Sequence, residues 1–374
     1  MTRTTLLAST ALAMSTSFAF AAGIERNAPS SRVLFEEGRY LEFSFSSVDP
    51  DLEGTGGLLD PLSQGTGDLF ESYFTLGAAY KADINDRLSF AVIFDEPVGV
   101  DTLYPNVVTS GYSGTAAELN GRQLSFLLGY DVSDNVKVYG GLRAQTIEAN
   151  AFFPFFGALT GGALPPTTTY DVQASEDWGL GYAVGAAYSI PEIALRVALT
   201  YYSEIEHELS TVETITGLGV INDSVDIETP QSINLEFQSG IAENTLLFGS
   251  VRWVDWSEFA ISPTAFTGTL GQPLVDYEED WVTYTLGVGR RFSDEWSGSV
   301  QVSHEPQSDT TLTTLGPVDG RTSIGLGASY TASENVTISG GLTYVMLGDA
   351  RNFANTDFDD GDALGFGLRI GYSF

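Results

Sequence analysis

Few side chains in this sequence are equipped for bond-making chemistry. Its 374 residues include 2 His and no Cys. Thiol nucleophiles, disulfides and thiolate metal sites are therefore excluded. His207 lies among Glu204, Glu206 and Glu208, and His304 falls near the end of an alternating segment, on its apolar side. Ser residues stand close by, but no G-x-S-x-G turn exists to present one as a nucleophile. Asp357, Asp359, Asp360 and Asp362 form an acidic cluster whose spacing misses the EF-hand rule. It reads as a solvated acidic loop. No enzyme, metal or cofactor is expected. What remains is binding chemistry. Arg143, Arg196, Arg252 and Arg369 occur on alternating segments, opposite the apolar face. Each could hold a carboxylate bidentately or brace against a neighbour such as Glu236.

The elements that must position these residues follow one pattern. Leu364, Phe366, Leu368, Ile370, Tyr372 and Phe374 alternate with Ala363, Gly365, Gly367, Arg369, Gly371 and Ser373. Trp178, Leu180, Tyr182, Val184, Ala186 and Tyr188 alternate likewise with Gly179, Gly181, Ala183, Gly185 and Ala187. A period of two with unlike faces is a β-strand between two different media. Fourteen such strands are expected, starting near 39, 68, 87, 117, 136, 170, 193, 226, 244, 277, 295, 320, 334 and 362. Six tight turns alternate with seven long connections, the latter near 49–67, 95–116, 151–169, 210–225, 260–276, 306–319 and 349–361.

This rhythm predicts an all-β fold: a 14-stranded antiparallel transmembrane β-barrel of the outer-membrane type. In lipid every backbone polar group must be paired, so the sheet must close. Tyr130, Trp178, Tyr188, Trp253, Trp281, Tyr330 and Tyr372 are expected in the interfacial girdles. No apolar run long enough for a membrane helix follows the N-terminus. The start fits a secretory signal over residues 1–21. Arg3 is followed by an apolar stretch through Met14, then by Ala19-Phe20-Ala21. Residues 22–38 read as a short N-terminal plug and 39–374 as the barrel. The balance of 16 Lys+Arg against 49 Asp+Glu gives a net charge of −33. It excludes a nucleic-acid partner, because a polyanion would be repelled. Loops and turns can carry that charge outside the membrane.

The opposite face lines the lumen. It carries Arg143, Arg196, Glu204, Glu206, Asn234, Glu236, Arg252, Gln301 and Arg369, but also Phe248, Leu127, Trp256 and many small residues. A water-filled pore calls for more charge, so an amphipathic or hydrophobic solute fits better. Two connections agree. Residues 151–166 include Phe152, Phe153, Phe155, Phe156, Leu159 and Leu164 with no charge, and residues 212–221 include Leu218 and Val220. Apolar residues in water-facing loops call for an apolar partner: each other, lipid or a ligand.

The chain resembles the FadL/TodX-type outer-membrane transporters of long-chain fatty acids and other hydrophobic compounds. The resemblance rests on Ala22-Gly23-Ile24-Glu25-Arg26-Asn27, Leu34-Phe35-Glu36-Glu37-Gly38-Arg39-Tyr40, Thr229-Pro230-Gln231-Ser232, Arg252-Trp253-Val254-Asp255-Trp256-Ser257-Glu258-Phe259, Asp319-Gly320-Arg321-Thr322-Ser323 and Leu347-Gly348-Asp349-Ala350. It implies fourteen strands, a hatch inside the barrel and a hydrophobic groove between the third and fourth extracellular loops, here 151–169 and 210–225. It also implies exit through a gap in the wall. The hatch is shorter than in the family, and Asn27-Ala28-Pro29 replaces an Asn-Pro-Ala element.

Passive uptake of long-chain fatty acids or similar hydrophobic molecules across the Gram-negative outer membrane is the expected function. The alternative is a general diffusion porin for hydrophilic solutes. The expected ligand contacts are Phe152, Phe153, Phe155, Phe156, Leu159, Leu164, Leu218, Val220, Phe248, Arg143, Arg252 and Arg369. The expected surroundings are outer-membrane lipid and lipopolysaccharide, around a monomer.

Overall fold

A computed structural model describes residues 24–107, 110–308 and 311–374. The expected signal segment 1–21 lies outside them. Seventeen hydrogen-bonded segments form one continuous sheet. Three wall strands are each interrupted once, so the described residues give fourteen. These are β1 (Tyr40–Asp51), β2 (Tyr73–Asp83), β3 (Leu88–Asp95 and Gly99–Leu103), β4 (Ala116–Ser133), β5 (Val136–Phe153), β6 (Tyr170–Ile190) and β7 (Leu195–Tyr202 and Ile205–Ile215). The rest are β8 (Gly219–Thr229 and Ser232–Ala242), β9 (Thr245–Val254), β10 (Trp281–Arg291), β11 (Trp296–Glu305), β12 (Arg321–Thr331), β13 (Val336–Leu347) and β14 (Asp362–Ser373). β1 pairs antiparallel with both β2 and β14, which closes the barrel. Leu364, Phe366, Leu368, Ile370 and Tyr372 are exposed, as lipid-facing residues should be.

Four local readings need correction. The connection 210–225 is mostly a hairpin: Ile205–Ile215 pairs with Gly219–Thr229 across a turn at 216–218. Its apolar residues belong to strands that rise beyond the membrane, where the outward face turns acidic and hides the alternation. β3 does not end near 95 but resumes at Gly99. Glu204 and Glu206 face outward while His207 is buried, because the break at Ser203–Glu204 shifts the strand's parity. Trp281 is not in a girdle. It is buried against Trp256 and Tyr277, with ring centroids 5.3 and 5.0 Å away.

Inside the outer end, the loops pack into a cap. Gly54–Thr55, Thr311–Leu312, Ala350–Asn352 and Asp357–Phe358 make a small four-stranded sheet. Tyr104 and Tyr112 stack beneath it at 4.8 Å. Two short helices, α1 (Phe156–Leu159) and α2 (Thr264–Leu270), meet around Phe153, Phe156, Tyr170 and Phe266. Buried Glu213 of β7 locks α2 in place. It accepts hydrogen bonds from Ala265 N (2.9 Å), Phe266 N (3.2 Å) and Tyr170 OH (2.8 Å).

Replacing Glu213 with Ala strands three buried donors, at a cost of about 1–3 kcal/mol each. Limited proteolysis should then cut the 255–280 connection faster than in the parent. Equal cleavage rates would show that Glu213 does not hold the cap.

Candidate functional site

Residues 24–38 run inside the barrel from the base of β1 toward its middle. Each turn of this segment meets the wall. Lys81 Nζ donates to Gly38 O, and Lys137 Nζ to Leu34 O. Arg32 pairs with Glu36 and Glu42. The Arg196 guanidinium lies 4.5 Å from the Phe35 ring centroid. Asn234 Nδ2 donates to Pro29 O. Glu25 pairs with Arg252, and Arg26 with Asp101.

The segment's end meets a break in the wall. Pro97 has no N–H and cannot ladder. β2 and β3 therefore stop pairing at Ala78–Phe94, and residues 73–77 of β2 have no β3 partner. The freed groups find other partners. Pro97 O accepts from Arg26 N (2.8 Å) and Asn27 N (3.2 Å), and Gly99 N donates to Ile24 O (2.7 Å). Leu76 N, left bare on β2, donates to Glu96 Oε2 at 2.9 Å. A Cβ at Gly99 would lie 2.5 Å from Arg26 Cζ, so any larger residue there would displace the Arg26 side chain. A space opens at the break. Its lining includes inward residues (Ser44, Thr75, Asp95) and lipid-facing ones (Phe45, Leu76, Phe94). The space therefore crosses the wall.

Above the break lies an apolar cavity. Ile24 forms part of its boundary, with Val100, Ala149, Val172, Ile227 and, from the loops, Leu274 and Tyr277. No Lys or Arg lines it. Burial pushes the Tyr277 phenol up, so it stays neutral. Below the break, a second space is edged by charged and polar residues, Arg196, Glu236, Arg252, Gln301 and Arg321. The lumen thus divides into a dry outer chamber and a wet inner one, with the break beside the N-terminal segment between them.

The structure distributes the sequence-predicted ligand residues among different places. Phe153 and Phe156 are buried in the cap, while Phe152, Phe155, Leu159 and Leu164 are half-buried. Leu218 and Val220 stand at the β7–β8 hairpin tip, 65% and 59% exposed. Phe248 lines the wet chamber. The arginines have protein partners. Arg143 donates to Gln123 Oε1 (2.7 Å) and Ser203 O (3.0 Å). Arg252 is held by Glu25, Ser232 and Asn234, and Arg369 lies 3.8 Å from Glu42. His207 donates to Gln145 Oε1 (3.1 Å), and His304 bonds Thr322 Oγ1 (2.9 Å). The dry chamber's loop residues, Leu274, Tyr277 and Leu315, carried no local signal. The break did carry one, because Pro97 interrupts an alternating run.

Known proteins share this architecture. A FadL homologue from Pseudomonas aeruginosa superposes with a TM-score of 0.75 at 15% identity, covering 91% of both chains. The Ralstonia pickettii toluene transporter TbuX matches at 0.61 and 17%, covering 91% of this chain and 90% of its own. The Pseudomonas putida toluene transporter TodX matches at 0.66 and 12%, covering 94% and 97%. No curated protein matches. The outer-membrane transport protein family model OMPP1/FadL/TodX spans residues 4–373, and with its barrel, internal segment and wall break the chain belongs to that family of outer-membrane transporters.

Proposed function

We propose that the chain carries uncharged hydrophobic small molecules passively across the outer membrane, from the dry chamber sideways into the bilayer through the break at Pro97. The carrying observation is the apolar cavity without a cation beside a space that crosses the wall. A solute held by apolar surface gains about 25 cal/mol per Å² of burial. It would lose this on entering the wet chamber, where charged pairs would have to be desolvated. The lateral route leads past Phe45, Leu76 and Phe94 into lipid. The toluene transporters among its structural relatives agree with such a ligand.

The N-terminal segment acts as a plug on this reading. Its backbone occupies the groups that Pro97 and Gly99 turn inward, so the same bonds hold the segment and keep the break open. Half-buried Phe152 and Phe155 and exposed Leu218 and Val220 would take the solute up at the cell surface. Long-chain fatty acids are the second reading, favoured by the arginines at the edge of the wall-crossing space. A carboxylate reaching Arg252 there must compete with Glu25.

Uptake of toluene and of oleate by proteoliposomes separates the two readings. Ala149→Arg, which puts a cation in the dry chamber, should lower toluene uptake by about tenfold or more, since an apolar ligand cannot compensate for a buried charge. Unchanged toluene uptake would overturn the chamber as the binding site. Phe152→Ser with Phe155→Ser leaves the buried cluster intact and should slow uptake at low toluene concentration only. An identical concentration dependence would remove the capture role. Planar-bilayer recordings should show no large steady current. Such a current would establish the porin alternative.

A further inference from the structure

The break at Pro97 carries an uneven balance of charge. On the lumen side, Arg32, Arg252 and Arg369 line the wall-crossing space. Each is engaged: Arg32 pairs with Glu42, Arg252 pairs with Glu25, and Arg369 lies 3.8 Å from Glu42. At the gap itself stand two consecutive carboxylates of β3, Asp95 and Glu96. Their hydrogen-bond partners are neutral. Asp95 lines the space, and its Oδ1 accepts from Gln123 Nε2 at 3.2 Å. Half-buried Glu96 shares the outward parity of Phe94 and reaches across the gap, where its Oε2 accepts from Leu76 N of β2 at 2.9 Å. Among the described residues neither carboxylate forms an ion pair.

The bases on β4 and β5 leave this balance standing. Arg143 donates to the same Gln123 at 2.7 Å rather than to Asp95. Exposed Arg122 on β4 follows one residue past the Asp95–Gln123 pair. It lies on the far side of β3 from the gap, and Glu96 turns away from it toward β2. Above the gap, Glu71 and Glu118 are exposed, and Glu118 faces Asp101 in register. Asp101 takes Arg26. In an unbroken ladder Leu76 N would meet an uncharged backbone carbonyl. Here a carboxylate takes that place, so the repair of the wall leaves a negative charge in the gap.

We propose that Asp95 and Glu96 make the lateral exit selective against carboxylate anions, so that neutral hydrophobic compounds leave through it and fatty-acid anions do not, with Glu96 as the determining side chain. The proposal rests on the break being the exit. A carboxylate entering the gap stands against like charge in a partly desolvated space, which disfavours its ionised form. The arginines lining the space are already engaged and offer it no free partner. A neutral aromatic compound carries no charge for Glu96 to repel. Specificity of this kind comes from a repulsive element built against the wrong solute.

Two aryl diazirines that differ only in bearing a hydroxymethyl or a carboxylate group test this on the full chain in phosphatidylcholine nanodiscs at neutral pH. Photolabelling of Thr75 and Leu76 at the gap is measured by mass spectrometry. It is divided by labelling of Leu326, a lipid-facing residue of β12, which corrects for each probe's partition into lipid. In the parent, this normalised labelling should be about tenfold lower for the carboxylate than for the neutral probe. Glu96→Gln keeps an acceptor for Leu76 N and should raise the carboxylate-to-neutral quotient about fivefold. Salt at about 1 M should raise the parent quotient too, because screening shortens to about 3 Å. A parent quotient near one, or one that Glu96→Gln leaves unmoved, would overturn the selectivity. Absence of neutral-probe labelling at Thr75 would instead overturn the break as the exit. If Glu96→Gln does not fold, Asp95→Asn and the salt series decide, and a quotient that neither moves sinks the proposal.

Discussion

The requirement that every backbone N–H and C=O be paired inside the bilayer governs this molecule. It forces β1 and β14 together and turns fourteen alternating segments into a cylinder. It also dictates what happens wherever the ladder fails. At Pro97 the ladder cannot continue, and the orphaned groups are met by Ile24, Arg26, Asn27 and the Glu96 carboxylate. At Ser203 they are met by Ser203 Oγ, Asp177 and Arg143. At Pro230, β8 is interrupted a third time. A wall with polar substitutes at chosen points has weak places whose positions are built in.

The lumen's polarity is arranged along its length. The outer chamber is enclosed by loops that share one apolar cluster with Val172, Val225 and Ile227. The inner chamber is crossed by ion pairs. Several of the inner arginines have a carboxylate from the N-terminal segment or from β1: Arg252 with Glu25, Arg32 with Glu42 and Arg369 near Glu42. A buried charge is tolerated only when paired. Arg26, Arg32, Lys81, Lys137, Arg196 and Arg252, from the few basic residues of a strongly acidic chain, fasten the inner segment. Sixteen Lys+Arg against 49 Asp+Glu leaves most of the acid without a basic partner.

The cap, the inner segment and the break work as one assembly. Ile24 borders the dry chamber, and its carbonyl holds Gly99 beside the gap. Tyr104 OH donates to Thr314 O and Thr102 Oγ1 to Leu315 O, so the loop after β3 is fastened to the loop that bounds the same chamber. Chamber, inner segment and wall break are thus joined through residues 99–104.

The sequence by itself determined the strand count, the closed sheet and the lipid face, because alternation is a local property with a period of two residues. The resemblance blocks pointed to the family. The Phe-rich stretch after β5 was visible as apolar, and Arg143, Arg252 and Phe248 as inward. Only the tertiary structure decided what these residues touch. Arg252 meets Glu25, 227 positions away in the chain, and no spacing rule encodes that pairing. Trp281 and Trp178 sit on similar alternating runs, yet one is buried and the other faces the interface. The loops folded over β10 cover the first and leave the second uncovered. Parity beyond Ser203 could not be carried forward from β7's first half, because one break reverses every face after it. The dry chamber is likewise assembled from β3, β4, β5, β6 and β8, two distant loops and Ile24. Its existence depends on the barrel's closure, which brings those elements together around a space none of them encloses alone.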